Sequence, residues 1–457
     1  MKKLIILYCI SAWVGLGACS VYKSYERPDM PVVDSLYRQA AATSADTPSI
    51  ASLSWRELFT DPKLQALIET GLQNNTDLNI ARLKVTEAEA TLMTSRLAYL
   101  PSISFEPSGT LRSVDGNAMT KSYDIAASAS WEVDIFGKLT NAKRGAKAAL
   151  EQSEAYRQAV QTQLIATIAN SYYSLLMLDA QLDISERTAA NWGENVRAMK
   201  ALKAAGDATE LAVAQSEASK LSVDASIASL RQQIDQMENT LTALLGIAPQ
   251  KIDRTTIGEQ RFPTELAAGV PLQLLQRRPD VRQSEAALAQ AFYATNAARA
   301  AFYPSITLSG SAGWTNAAGA AITNPGQWLF TAVGSLVQPL FNRGRNIANL
   351  RIAKAQQEEA LLSFRQSLLD AGTDVNNALI QWQTARQRQQ IDQQQILSLE
   401  STVRSSELLM QYSSQNYLEV LTARQTLLQA ELTAVSDRFD EIQGVINLYH
   451  ALGGGAE

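Results

Sequence analysis

The residue of this sequence best suited to covalent chemistry is Cys19. It follows Leu16, Gly17 and Ala18 and closes a charge-free apolar run, Leu4 to Ala18, that begins behind Lys2 and Lys3. A basic start, an apolar stretch too short to span a bilayer and small residues before a break have the layout of a secretory leader, predicted over residues 1–18. Small residues ahead of a cysteine resemble the site where lipoprotein signal peptidase cleaves, which leaves Cys19 as an acylated first residue. Each buried methylene of an acyl chain contributes about 0.8 kcal/mol, so several chains hold a protein on a membrane with no transmembrane helix. Ser20 follows; in the better-known sorting systems aspartate there retains a lipoprotein at the inner membrane, and serine permits export to the outer one. The second cysteine, Cys9, lies in the leader, so no disulfide is expected in the mature chain.

The remaining inventory does not suit catalysis. The single histidine, His450, sits near the end of the chain, and there is no glycine-rich phosphate loop and no cluster with metal-ligand spacing. The sequence therefore predicts a protein that is not an enzyme, with no metal and no cofactor beyond the lipid on Cys19. A formal net charge of −5, more negative once Lys2 and Lys3 are removed, argues against nucleic acid as a partner. With 46% hydrophobic and 19% charged residues, the chain has the composition of a folded protein rather than a disordered one.

What would position these residues is one unit written twice. Asp77 and Asp280 begin matching blocks, and a proline ends both: Arg96-Leu-Ala-Tyr-Leu-Pro101-Ser-Ile-Ser and Arg299-Ala-Ala-Phe-Tyr-Pro304-Ser-Ile-Thr. The match continues through Phe136 with Phe341 and Leu244 with Leu452. A period this long points to duplication of a whole domain. The boundaries expected are an N-terminal lipid-anchored extension over 19–55, repeat 1 over 56–250, a linker over 251–278 and repeat 2 over 279–457.

All thirteen prolines avoid residues 108–248 and 340–457. An interior proline costs a helix about 3 kcal/mol, so these stretches can hold long helices. In the second, Leu361, Leu368, Val375, Trp382, Ile396, Val403 and Met410 recur at heptad spacing, with Gln389 as a break. Phe364, Ala371, Ala378, Ala385 and Leu399 fill the other seam position, with Asp392 as a break. Return segments keep the same period, so each repeat is predicted to hold an antiparallel coiled-coil hairpin, with tips near 206 and 414. Between the helices lie alternating segments, predicted as strands over 101–112, 121–136, 304–316 and 328–341. Ile103, Phe105, Gly109 and Leu111 interleave with Ser102, Ser104, Glu106 and Ser108, and residues 300–342 carry no charge. One greasy and one polar face fits a membrane β-barrel, while four strands are too few to close one, so three chains supplying twelve is the predicted arrangement.

Over nearly the whole mature chain the sequence resembles the outer-membrane factor family, the TolC-like exit ducts. Within that family it is similar to the lipoprotein (NodT-type) branch serving resistance-nodulation-division pumps. The resemblance rests on Trp55-Arg-Glu-Leu-Phe-Thr-Asp-Pro-Lys-Leu64, Asn75-Thr-Asp-Leu78 and Arg277-Arg-Pro-Asp280, continuing to Ala300-Ala-Phe-Tyr-Pro-Ser-Ile306. It implies a mixed, mainly α fold, in which coiled-coil hairpins build a periplasmic α-barrel below a trimeric twelve-stranded outer-membrane β-barrel. It implies a homotrimer in contact with outer-membrane lipid, with a periplasmic adaptor and an inner-membrane pump as partners, conducting solutes passively. Tyr412-Ser-Ser-Gln-Asn-Tyr-Leu-Glu-Val-Leu421 is similar to the family's tip motif, with Ser414 where glycine is common. By that resemblance Asp207, Glu210, Tyr417, Glu419 and Arg424 are the candidates for a periplasmic aperture, although each could equally cap a helix or solvate a turn. Two other functions fit part of the pattern: the outer-membrane part of a type I protein secretion system, and a structural lipoprotein that spans the periplasm without conducting.

Overall fold

The structure, a computed structural model, describes residues 22–29, 50, 53–113, 115–116, 119–262, 278–316, 326–412 and 417–455. The leader, Cys19, Arg277, most of the expected linker and the tip expected near 414 lie outside these residues. Two short helices, α1 (Trp55–Leu58) and α2 (Pro62–Asn74), lead into α3 (Thr76–Leu97), followed by strands β1 (Ser102–Arg112) and β2 (Thr120–Val133). Helices α4 (Lys138–Ala205) and α5 (Glu210–Leu244) complete the first copy. The second copy runs α6 (Pro279–Ala300), β3 (Ser305–Thr315), β4 (Gln327–Val337), α7 (Arg345–Tyr412) and α8 (Tyr417–Ala451). The duplication is visible in the lengths: α3 and α6 have 22 residues each, α4 and α7 have 68, α5 and α8 have 35. A helix of 68 residues rises about 100 Å at 1.5 Å per residue.

The residues fall into two compact units. The first comprises the N-terminal segment, Leu83–Glu154 and Gln283–Gln366. It holds an antiparallel sheet in the order β1-β2-β3-β4. The sequence alternation suggests that the second and fourth strands continue to 136 and 341, but β2 stops at Val133 and β4 at Val337. Asp134 leaves the ladder to cap α4, accepting from Leu139 N at 2.9 Å and Thr140 N at 2.7 Å, and Gly137 turns the chain at φ 73°. In the other copy Pro339, lacking an N–H, cannot extend the ladder. Residues 22–29 lie along α6, where Tyr25 N donates to the Tyr293 hydroxyl at 3.2 Å and Arg27 grips Glu285 through both carboxylate oxygens.

The second unit comprises the remaining residues, with its core on Leu58, Phe59, Leu64, Ile168, Tyr172, Tyr173, Ile442 and Ile446. Asp61 caps α2 and accepts from Tyr172 at 2.6 Å, Thr255 at 2.5 Å and Gln260 at 3.1 Å. Burial pushes its carboxyl up, but these donors prevail and hold it below the ordinary aspartate value. Arg278 and Asp280 of the Arg277–Asp280 signature prove to be a buried tie. The Arg278 guanidinium is 4% exposed. It donates to Asp280 at 2.7 Å, to Asp374 of α7 at 2.9 Å and to the Ala451 carbonyl at the end of α8, also at 2.9 Å. Pro279 occupies the first position of α6, where a missing N–H costs nothing. His450 is held neutral, its imidazole shifted below the ordinary value by burial and by the charge of Arg278.

The seam residues foreseen in α7, among them Phe364, Leu368, Ala371, Val375, Ala378 and Ala385, are buried. Gly444 of α8 lets the two helices approach closely: a Cβ there would stand 2.9 Å from the backbone of Trp382. Gly444→Leu should separate the two helices and cost about 1–3 kcal/mol, read as a fall in the thermal midpoint of the purified protein by circular dichroism.

Candidate functional site

Two places carry the chemistry of this chain, the sheet and the turn between α4 and α5. In the sheet, register decides which side chains share a face. One row joins Ser104, Ser128, Ser311 and Thr331, with Ser104 and Ser128 hydroxyls 2.7 Å apart. The next row joins Phe105, Ala127, Ala312 and Phe330. Hydroxyl and apolar rows alternate because successive side chains of a strand point to opposite faces. The apolar face is unprotected in the single chain: Ile103, Phe105, Leu111, Trp328, Phe330 and Leu336 are all exposed. Aromatic rings mark both ends of this band. Trp314 and Trp328 pack at 4.8 Å at one end, and Phe136 stacks on Tyr303 at 5.0 Å at the other. From position 303 to 314 is roughly 36 Å of extended strand, which a 40° tilt brings to about 28 Å, close to the lipid-facing band of an outer-membrane barrel. Among the described residues no helix is long and apolar enough to cross a membrane.

At the turn, Gly206 takes φ 89°, a conformation that L side chains rarely adopt, and Asp207 N closes the helix end by donating to the Leu202 carbonyl at 2.9 Å. Thr209 caps α5 by accepting from Ala212 N at 3.2 Å. Asp207 is left exposed in the turn, and Glu210 pairs with Lys203 across it. Tyr417 has a different setting. It is 6% exposed and packs with Trp192, Met199, Val213, Val223 and Leu421. Its hydroxyl bonds to Ser216 Oγ, which also reaches Asn195 at 3.1 Å. Burial pushes the Tyr417 phenol up, outweighing the bond to Ser216 and the charge of Arg424, so it stays neutral. Arg424 donates to Glu407 at 2.6 and 3.0 Å and reaches the Asn191 carbonyl at 3.4 Å. Glu419 is exposed in the first turn of α8, where a negative charge suits the helix dipole.

Of the five candidates, Tyr417 and Arg424 are therefore tied to the other copy of the repeat, Glu210 makes a local ion pair, and Asp207 and Glu419 face solvent. Ser216, Asn195, Asn191 and Glu407 escaped the sequence reading. A polar residue that serves a partner some two hundred positions away leaves no local signal; Trp192, a large ring near the end of α4, was the available clue.

A protein-family model described as outer membrane efflux protein matches residues 67–247 and 270–454. The chain belongs to that family. It is 31% identical over 456 residues to the cation efflux system protein CusC of Escherichia coli, with 98% of each chain covered. It is 29% identical to the probable outer membrane lipoprotein SilC of Salmonella typhimurium, covering all of this chain and 99% of that one. Its fold superposes on the open-state MtrE outer membrane channel of Neisseria gonorrhoeae with a TM-score of 0.86 at 28% identity, over 96% of this chain and 99% of the other. This outer membrane efflux protein is an exit channel of the outer membrane, and the hydroxyl face of its sheet is the side suited to water.

Tyr417→Phe leaves the buried Ser216 hydroxyl with one partner fewer, at a cost of about 1–3 kcal/mol. Amide hydrogen exchange should accelerate around residues 192–216 and 417–424 and stay unchanged in the sheet.

Proposed function

We propose that three copies of the chain close one twelve-stranded duct, with Cys19 lipidated at its edge. Through this duct a resistance-nodulation-division pump and its adaptor discharge solutes passively. The observation that carries this reading is the open four-stranded sheet. Its edge strands β1 and β4 pair with nothing else among the described residues, and its apolar face is bare. Backbone groups in hydrocarbon have no water to bond, so each edge needs another strand, and a neighbouring copy supplies one. The lipid reading draws support from residues 22–29. The ring of Tyr22 lies 3.5 Å from where a Cβ on Gly137 would stand, beside the end of β2. Three residues of extended chain reach roughly 10 Å, so acyl chains on Cys19 can enter the leaflet at that end of the sheet. The name of the Salmonella relative agrees with such an anchor.

The five tip residues divide the gating work. Tyr417 and Arg424 latch the α7–α8 hairpin to the α4–α5 hairpin of the same chain. Asp207, Glu210 and Glu419 bring negative charge to the aperture, where three copies repel one another unless the latch restrains them. Docking of the adaptor releases the latch. A protein exporter of the type I class would need the same wall, so the discriminating partner is the pump; a non-conducting scaffold has no use for the hydroxyl face.

In planar bilayers the wild-type trimer should show a small, mostly closed conductance. Arg424→Ala should raise single-channel conductance or open time several-fold; no change in either removes Arg424 from the latch. Cys19→Ser should abolish incorporation of labelled palmitate while leaving the heat-modifiable trimer on detergent gels.

A further inference from the structure

The two polar breaks in the α7 heptad, Gln389 and Asp392, meet the same stretch of α8. Gln389 donates to Glu441 at 2.8 Å and to the Asp437 carbonyl at 3.3 Å. Asp392 faces the carboxyl of Asp437 within hydrogen-bonding reach. This is a deeply buried meeting of two acids: Asp437 is 1% exposed and Asp392 8%. Oδ2 of Asp392 and Oδ2 of Asp437 are enclosed with no hydrogen-bond partner, and Oδ1 of Asp437 meets only the guanidinium of Arg388.

The surrounding charges do not neutralise the pair. From α7, Arg388 touches Asp437, but it also stands 3.6 Å from Asp440, and its side chain is about half exposed. From α8, Arg438 is engaged with Glu441 and donates to the Gln260 carbonyl at 2.8 Å. From α4, the nearest contact is Gln181 on Ser436, and the charges flanking it, Asp179 and Asp183, are taken by Arg254 and Arg187. One half-exposed guanidinium is thus divided between Asp437 and Asp440. Two ionised acids in contact repel, and acceptor oxygens buried without donors are costly. A single proton removes both penalties, because the O–H of one acid then donates to an oxygen of the other.

We propose that Asp392 and Asp437 hold one shared proton, which makes the α7–α8 seam a proton-binding site clamping the hairpin at mid-length. Burial, and then the neighbouring carboxyl, push Asp437 above the ordinary aspartate value, and Arg388 only partly offsets them. The native pair keeps a proton that the unfolded chain has lost. Its stabilisation is therefore complete below the ordinary aspartate range and is lost as pH rises through the raised native value. This is the reverse of Asp61, whose depressed carboxyl stabilises above the ordinary range and ceases to do so in acid. The seam tightens in acid and loosens in alkali, a property separate from whether the channel conducts.

Infrared difference spectroscopy of the detergent-purified wild-type protein tests the site directly. A protonated-carboxyl C=O stretch should persist above the pH range of ordinary carboxylates, about 4, and fade as pH rises further. Asp437→Asn should remove the band. Asp392→Asn gives Asp437 a permanent N–H donor. It should remove the band and flatten the wild type's loss of thermal midpoint between about pH 5 and about pH 8. The proposal is overturned by a wild-type spectrum with no such band near pH 6, by a band that survives both substitutions, or by an Asp392→Asn protein with the wild-type pH slope. A midpoint that rises with added calcium while the band is absent also overturns it, in favour of a metal ion. Should either variant fail to fold, the wild-type spectrum decides alone.

Discussion

A backbone N–H or C=O in hydrocarbon must find its partner within protein, and the form of this molecule follows from that requirement. The sheet satisfies it between β1 and β2, β2 and β3, and β3 and β4, and leaves two edges. No rearrangement of four strands removes those edges, since a closed barrel needs about eight strands at least. The aromatic pairs at both ends of the band suit the two lipid boundaries, and the cap at Asp134 turns β2 sharply into α4.

The same economy of polar groups governs the helices, with the opposite solution. In the sheet, hydroxyls are gathered on one face where water can reach them. Around the helices, buried polar groups meet specific partners, as Arg278 meets Asp280, Asp374 of α7 and the Ala451 carbonyl of α8. The carboxyl pair at mid-length has only Arg388, which it shares with Asp440, and keeps an enclosed oxygen without a donor on each acid. At the tip, the bond between Tyr417 and Ser216 fastens one copy of the repeat to the other within a cluster that includes Trp192 and Leu421.

Much of this was legible in the residues. Proline avoidance located the helices, period two located the strands, and the offset between Pro101 and Pro304 revealed the duplication. Those signals are repetitive, and each residue adds to the same pattern. What stayed hidden was set by single contacts. The end of β2 depends on Asp134 choosing to cap α4 rather than continue the alternation, and its sequence looks alternating up to Phe136. Tyr417 was visible as a candidate, but its partner Ser216 was not, because serine in a helix has no periodic signature. Asp392 stood out as a break in the heptad, whereas Asp437 fell between apolar positions and looked like an ordinary surface acid until the fold buried it.

The matched lengths of the two copies, 68 and 35 residues in each hairpin, have a consequence for variation. If six identical hairpins came from six identical chains, any substitution would enter six times and would have to suit every wall at once. With two hairpins on one polypeptide, a change in α5 leaves α8 as it was, and a three-fold ring carries it only at every second position. The copies are then free to drift apart in role, one acquiring the glycine turn at 206 and the other the serine at 414, without either losing the dimensions that let them stand side by side.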